Sequence, residues 1–273
     1  METIKELYII PTYSCNLDCP HCELHKKVER YNESIFISRL KTLFFDRGIL
    51  FGGEPLLLQE KLIPILETKK ISSISTNLLL LNATSLKLIK DYDLDIATSW
   101  NQTRFTPKQF DIWIDNLKLL EQYNLSCIIL ITLTEDLINC DYNTFLTLLS
   151  ELDKIKSITG IKFEQLVDNS KKAEFYERVD NWLCKISKDW SFSFKNLLLE
   201  NLNDWNCDCS KTYTLTPSGI LKKGCPQYTQ TNVLQQCLSC KLANVCKPCI
   251  LQKECSFPKK LYESYKNVLY SKY

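Results

Sequence analysis

Short apolar runs alternate along the chain with segments whose apolar residues recur at helical spacing. The strand-like runs are Leu7–Ile10, Gly48–Phe51, Ile71–Ser75, Asp95–Ser99, Cys127–Thr132 and Gly160–Phe163. Between them, three sets each fall on one helix face: Ile37, Leu40 and Phe44; Phe110, Trp113, Ile114, Leu117 and Leu120; and Phe145, Leu148, Leu152 and Ile155. Pro107 suits the first turn of the second helix. Strands alternating with helices predict βα repeats around a parallel sheet. The repeat stops near residue 170, short of the about 250 residues of a closed eight-unit barrel. The expected fold is α/β, an open six-stranded (βα)6 partial TIM barrel over residues 1–170.

Residues 171–202 read as a connecting helical segment, with Phe175, Val179, Trp182 and Leu183 on one side. From 203 to 273 the pattern changes, giving a small cysteine-rich C-terminal domain. Tyr213–Thr216 and Ile220–Lys223 flank Pro217-Ser218-Gly219 in a predicted hairpin. Beyond it only Leu261, Tyr265 and Leu269 suggest a short helix. A stretch so poor in periodic apolar residues needs cross-links such as bound metal clusters.

Composition narrows the class. With 45% hydrophobic and 24% charged residues the chain can bury a core. A net charge of +2 from 34 basic and 32 acidic residues gives no reason to expect nucleic acid as a partner. Runs such as Leu78–Leu81 and Cys127–Ile131 fall far short of the about 20 residues of a membrane span. The acidic start, Met1 to Glu6, does not read as a signal peptide. The expectation is a cytoplasmic protein that engages neither membrane nor nucleic acid.

The 14 cysteines, against 6 glycines and 1 methionine, change the picture. Three lie at positions 15, 19 and 22, eight lie between 207 and 255, and only Cys127, Cys140 and Cys184 stand apart. Thiols bunched at such spacing suit a metal or cluster, on which neighbouring ligands converge. Cys15, Cys19 and Cys22 follow the first strand, at the sheet end where open α/β proteins place ligands. They suit three irons of a [4Fe–4S] cluster with the fourth left open. The alternative at the same spacing is zinc, completed by His21 or His25. At the next strand end stands Phe51-Gly52-Gly53-Glu54-Pro55. Its paired glycines imply close approach of backbone to a ligand, and Glu54 offers a carboxylate to a ligand ammonium. A plain β-to-α turn would use the same residues.

Together, in this order, the C-x3-C-x2-C triad and the Gly-Gly-Glu-Pro segment resemble the radical S-adenosylmethionine (radical SAM) enzymes over about residues 5–165. The resemblance implies a [4Fe–4S] cluster on Cys15, Cys19 and Cys22, whose open iron binds SAM. It implies that Gly52, Gly53 and Glu54 hold the methionyl ammonium and that His21 contacts the adenine. Thr76 and Asn77 end the third strand as they commonly do in this family. Ser99 and Asn101, followed by Arg104, stand where members often carry a Ser-x-Asp-Gly segment and a later arginine. Here Asn101 and Gln102 replace the acid and the glycine.

The C-terminal cysteines are Cys207, Cys209, Cys225, Cys237, Cys240, Cys246, Cys249 and Cys255. By spacing alone they suit two zinc ribbons, two clusters, or one of each. In context they resemble the SPASM extension of radical SAM peptide-modifying enzymes, which holds two auxiliary [4Fe–4S] clusters. By position, Cys207, Cys209, Cys225 and Cys249 would hold one cluster, and Cys237, Cys240, Cys246 and Cys255 the other. The Cys246–Cys249 step is one residue shorter than the family form, and Cys207 and Cys209 stand closer than the usual pair.

The resemblance implies reductive cleavage of SAM to a 5′-deoxyadenosyl radical, which abstracts hydrogen from a ribosomal peptide or protein. The outcome would be a cross-link, epimerisation or oxidation. It implies a reductase or flavodoxin-type electron donor. Because the first strand begins near residue 7, leader recognition is expected from a separate peptide-binding protein or from the barrel mouth. Cys140 is the candidate hydrogen donor, as an epimerase requires. The alternatives are radical chemistry on a small molecule, such as a sugar, nucleoside or amino acid, and a non-catalytic iron–sulfur carrier or zinc-stabilised binding protein.

Overall fold

The computed structural model describes residues 4–20, 22, 24, 27–165, 173–197 and 211–223. The eight C-terminal cysteines, His21, His25 and the helix expected at Leu261–Leu269 lie outside them, as does the side chain of Cys184.

Six strands form in the expected places: β1 (Ile4–Ile9), β2 (Phe45–Leu50), β3 (Ser73–Ser75), β4 (Asp95–Trp100), β5 (Cys127–Leu133) and β6 (Ile158–Gln165). Each pairs in parallel with the next. The helices between them are α1 (Glu33–Thr42), α2 (Ile63–Leu66), α3 (Ala83–Asp91), α4 (Pro107–Gln122), α5 (Glu135–Asn139) and α6 (Tyr142–Leu152). This is the open (βα)6 arrangement. Helix α7 (Ala173–Lys188) follows, then a short edge strand β7 (Lys195–Asn196) beside β6. No helix among the described residues is long and apolar enough to cross a membrane.

Alternation places the core. Along β5 the odd residues Cys127, Ile129, Ile131 and Leu133 are buried, whereas Ile128, Leu130 and Thr132 are half-buried on the other face. The buried face joins Trp113, Leu117 and Leu120 of α4 and Phe145, Leu149 and Leu152 of α6 in one core. Helix α4 opens with Pro107 in its first turn and a capping box between Thr106 and Gln109, which satisfies N–H groups left over by the helix start. The buried face of α7 is the expected one, with Phe175, Val179, Trp182 and Leu183 inside.

Two details differ from the sequence reading. Helix α1 buries Phe36 and Leu40 rather than Ile37 and Phe44. Its Asn32 cap starts it early enough to end at Thr42, and Phe44 lies beyond, 79% exposed. The predicted hairpin forms as β8 (Thr212–Leu215) and β9 (Leu221–Lys223), with Gly219 at φ +82° in the turn. It belongs to the main sheet, however: β8 pairs in parallel with β1, and the order runs β7-β6-β5-β4-β3-β2-β1-β8-β9.

Candidate cofactor site

All six main strands run the same way, so the segments after β1, β2, β3 and β4 meet at one end of the sheet. The cysteine loop follows β1. Its base is a small apolar cluster of Ile10, Tyr13 and Leu24, against which Cys22 and Phe51 pack. Burial, with help from the nearby Glu29, pushes the Tyr13 hydroxyl up to about 12, so this ring stays neutral beneath the loop.

The segment after β2 docks onto that loop backbone to backbone. Phe51 N–H donates to the Ile9 carbonyl (2.9 Å), Gly53 N–H to that of Thr12 (3.0 Å) and Glu54 N–H to that of Ser14 (2.8 Å). A Cβ on Gly52 would collide with the Thr12 carbonyl, and one on Gly53 with the carbonyls of Tyr13 and Ser14. Gly52 also holds φ +138°, a region that other residues avoid. The close approach that these glycines permit is thus to the cysteine loop itself, which they seat on the sheet.

Glu54 is fully buried. Its Oε1 accepts from Leu56 N–H (2.9 Å) and Thr76 Oγ1 (2.8 Å), and its Oε2 from Asn77 N–H (2.7 Å). The sequence reading offered this carboxylate to a ligand ammonium; the structure gives three of its about four acceptor positions to the chain. Burial pushes the Glu54 carboxyl up, while the hydrogen bonds and the Arg104 charge pull it down; the net direction is up. Thr76 and Asn77 are buried beside it. Asn77 Nδ2 donates to Asn16 Oδ1 at 2.7 Å and stands 3.9 Å from Cys15 Sγ.

Cys19 is buried and Cys15 and Cys22 are half-buried. Burial raises the thiols of Cys15 and Cys19, each raised further by a neighbouring cysteine of the triad and lowered by Arg104. Arg104 is aimed by the turn after β4. Asn101 Oδ1 accepts from Thr103 N–H (3.1 Å) and Oγ1 (3.2 Å), and Arg104 N–H donates to the Asn101 carbonyl (3.2 Å). The Arg104 Nε is buried with no hydrogen-bond partner. Asn101 thus acts first through the turn, and Ser99 is half-buried on β4. Cys140 caps α5, its N–H on the Leu137 carbonyl at 3.2 Å, and packs half-buried against the main core. The structure brings Cys15, Cys19, Glu54, Thr76 and Asn77 together with Arg104.

Among the described residues no three His, Cys, Asp or Glu side chains converge on one metal-ion position. The donor set nonetheless fits a [4Fe–4S] cluster. Three thiols come from one loop at the ligand end of a parallel sheet, and a cation offsets the charge they acquire on binding. Sequence reasoning reached Arg104 only through its position in the family resemblance and missed Asn16. The orphaned guanidinium nitrogen and the Asn16–Asn77 bond become visible only once segments far apart in sequence meet.

No family model matches the sequence, and no curated protein matches it. Solved structures share the fold. A histidine-tagged anSMEcpe with bound AdoMet aligns with a TM-score of 0.74 at 15% identity, over 98% of this chain and 97% of that one. Native anSMEcpe with bound AdoMet and Cp18Cys peptide gives 0.72 at 15%, over 98% and 97%. SuiB of Streptococcus suis bound to S-adenosylmethionine gives 0.60 at 17%, over 90% of this chain and 72% of that one. At such identities the likeness establishes the fold.

Proposed function

We propose that this chain is a radical SAM enzyme acting on a peptide or protein. The observation that carries the reading is the joining of the cysteine loop, the Gly52-Gly53-Glu54 segment, Asn77 and Arg104 at one end of an open parallel barrel. The same fold holds AdoMet in anSMEcpe and SuiB, and a peptide in native anSMEcpe, which supports both the cosubstrate and the substrate class.

Cys15, Cys19 and Cys22 would hold the cluster, which would supply the electron for SAM cleavage. The Arg104 Nε is buried without a hydrogen-bond partner, and a guanidinium suits a carboxylate such as that of SAM. The Gly52-Gly53 segment seats the loop and presents backbone to the ammonium, and Glu54 holds that segment in place. Tyr13, Ile10 and Leu24 keep water from beneath the loop. Ser99 and Asn101, at the end of β4, are assigned to the ribose, and His21 to the adenine.

Cys207, Cys209, Cys225, Cys237, Cys240, Cys246, Cys249 and Cys255 are assigned to two auxiliary [4Fe–4S] clusters. The product is a cross-link, an epimer or an oxidised residue. A reductase or flavodoxin-type donor supplies electrons, and a separate leader-binding protein can present the substrate. The setting is cytoplasmic. Anaerobic turnover with candidate peptides in deuterated water, read by mass spectrometry, tests the reading. A mass change of the peptide that requires SAM and reductant is expected. SAM cleavage that modifies only a small molecule would move the assignment to that substrate class.

A further inference from the structure

The groups that join the ends of β2 and β3 also reach one cysteine of the triad. Asn77 is 1% exposed. Its N–H is held by Glu54 Oε2 (2.7 Å), and its Oδ1 accepts from Leu79 N–H (3.0 Å). Its Nδ2 spends one N–H on Asn16 (2.7 Å). A side-chain amide carries two N–H groups, and the second has Cys15 Sγ at 3.9 Å.

The backbone around this amide is held firmly. Leu78 adopts φ +62° while fully buried, a conformation disfavoured for a branched side chain. Its N–H donates to Thr76 Oγ1 (3.1 Å), and its carbonyl accepts from Asn116 Nδ2 of α4 (2.7 Å). Strain locked from both sides, next to a site, fixes where Asn77 points.

We propose that Asn77 is a positioning residue that donates an N–H to the Cys15 sulfur, held there by Glu54, and that this relay raises the reduction potential of the cluster on the triad. The inference rests on the cluster reading above. Cys15 Sγ also accepts from Leu17 N–H at 3.4 Å. Among the described residues hydrogen bonds reach the sulfur of Cys15 but not those of Cys19 or Cys22. An added electron makes the ligand sulfurs more negative, so an N–H aimed at one of them favours the reduced form. The fully buried Glu54 carboxylate thereby acts on the cluster without touching it.

An EPR-monitored redox titration of the full, anaerobically reconstituted chain tests this. It follows the reduced-cluster signal that changes when SAM is added. Asn77→Asp keeps an oxygen for Leu79 but loses both amide donors and adds negative charge; Asn77→Leu loses the donors without added charge. Both are expected to keep their iron and shift the midpoint negative, Asp further than Leu. Asn16→Ala removes the competing acceptor and leaves Asn77 in place, so its midpoint is expected at or above wild type. Loaded Asn77 variants with the wild-type midpoint, or a fall in Asn16→Ala, overturn the relay. If both Asn77 variants fail to hold a cluster, Asn16→Ala decides alone. Wild-type protein with no iron–sulfur signal at the triad would instead contradict the cluster reading itself.

Discussion

The Glu54 carboxylate accepts a 2.7 Å hydrogen bond from the backbone N–H of Asn77, 23 residues further on. One buried residue thus fixes the ends of two adjacent strands relative to each other through its side chain and to the cysteine loop through its backbone N–H. The architecture of the site follows from this tie as much as from the cysteines.

Removing the tie is expected to cost stability as well as cofactor. Glu54→Ala leaves the N–H groups of Leu56 and Asn77 and the hydroxyl of Thr76 without their acceptor. A buried polar group left unmade costs about 1–3 kcal/mol. Urea denaturation should show a loss of roughly 3 kcal/mol or more, with weaker SAM binding alongside it. A variant that loses SAM affinity at full stability would return Glu54 to a direct role at the ligand ammonium.

Arg104→Ala is expected to keep the cluster and lose SAM affinity. A charge-assisted hydrogen bond to a carboxylate is worth about 1.5–3 kcal/mol, or roughly ten- to a hundred-fold in affinity. Arg104→Lys should recover part of it by restoring charge without the planar fork. Calorimetric titration with SAM checks both.

The hairpin carries a pH dependence. Glu29 accepts from Ser218 Oγ (2.8 Å) and lies 3.4 Å from Lys222 Nζ. Burial pushes its carboxyl up, but the hydroxyls of Ser218 and Thr216 and the charge of Lys222 together hold it below the usual range. A carboxyl lowered in the folded state stabilises above its unfolded value of about 4.3, and that contribution is lost as pH falls through the folded value. The stability difference between wild type and Glu29→Gln should therefore be full near about pH 6 and shrink on acidification below about 4.3. A difference that does not change with pH would remove Glu29 from the clamp.

Cys140 bears on the reaction type. Burial, then the neighbouring Asp141, pushes its thiol up. It stays protonated at neutral pH, the form that has a hydrogen atom to give. For an epimerase, Cys140→Ala is expected to keep SAM cleavage and lose product. Unchanged product and unchanged deuterium incorporation from solvent would favour cross-linking or oxidation.

What the sequence disclosed divides along physical lines. The six strands were legible because alternation and β-branched runs are local, and α4 announced itself through Pro107 and five spaced apolar residues. Helix α3 went unread although Asn82 and Ser85 form a capping box, because only nine residues follow it. The triad and the glycine pair were legible as chemistry. Their connections were not: β8 joins β1 across about 200 residues of sequence, and no local pattern says where the Glu54 oxygens go. The glycines were read as close approach to a ligand, and no local pattern showed that a Cβ on either would meet the carbonyls of residues 12–14.

The central claim is that the triad holds the cluster that cleaves SAM. Its most direct test is 5′-deoxyadenosine release by anaerobically reconstituted protein given SAM and dithionite, with metals counted on the same sample. The account predicts release by wild type and none once Cys15, Cys19 and Cys22 are replaced together by alanine, with the triad's iron lost and any other iron kept. Stoichiometric zinc with little iron, and no 5′-deoxyadenosine, would contradict it.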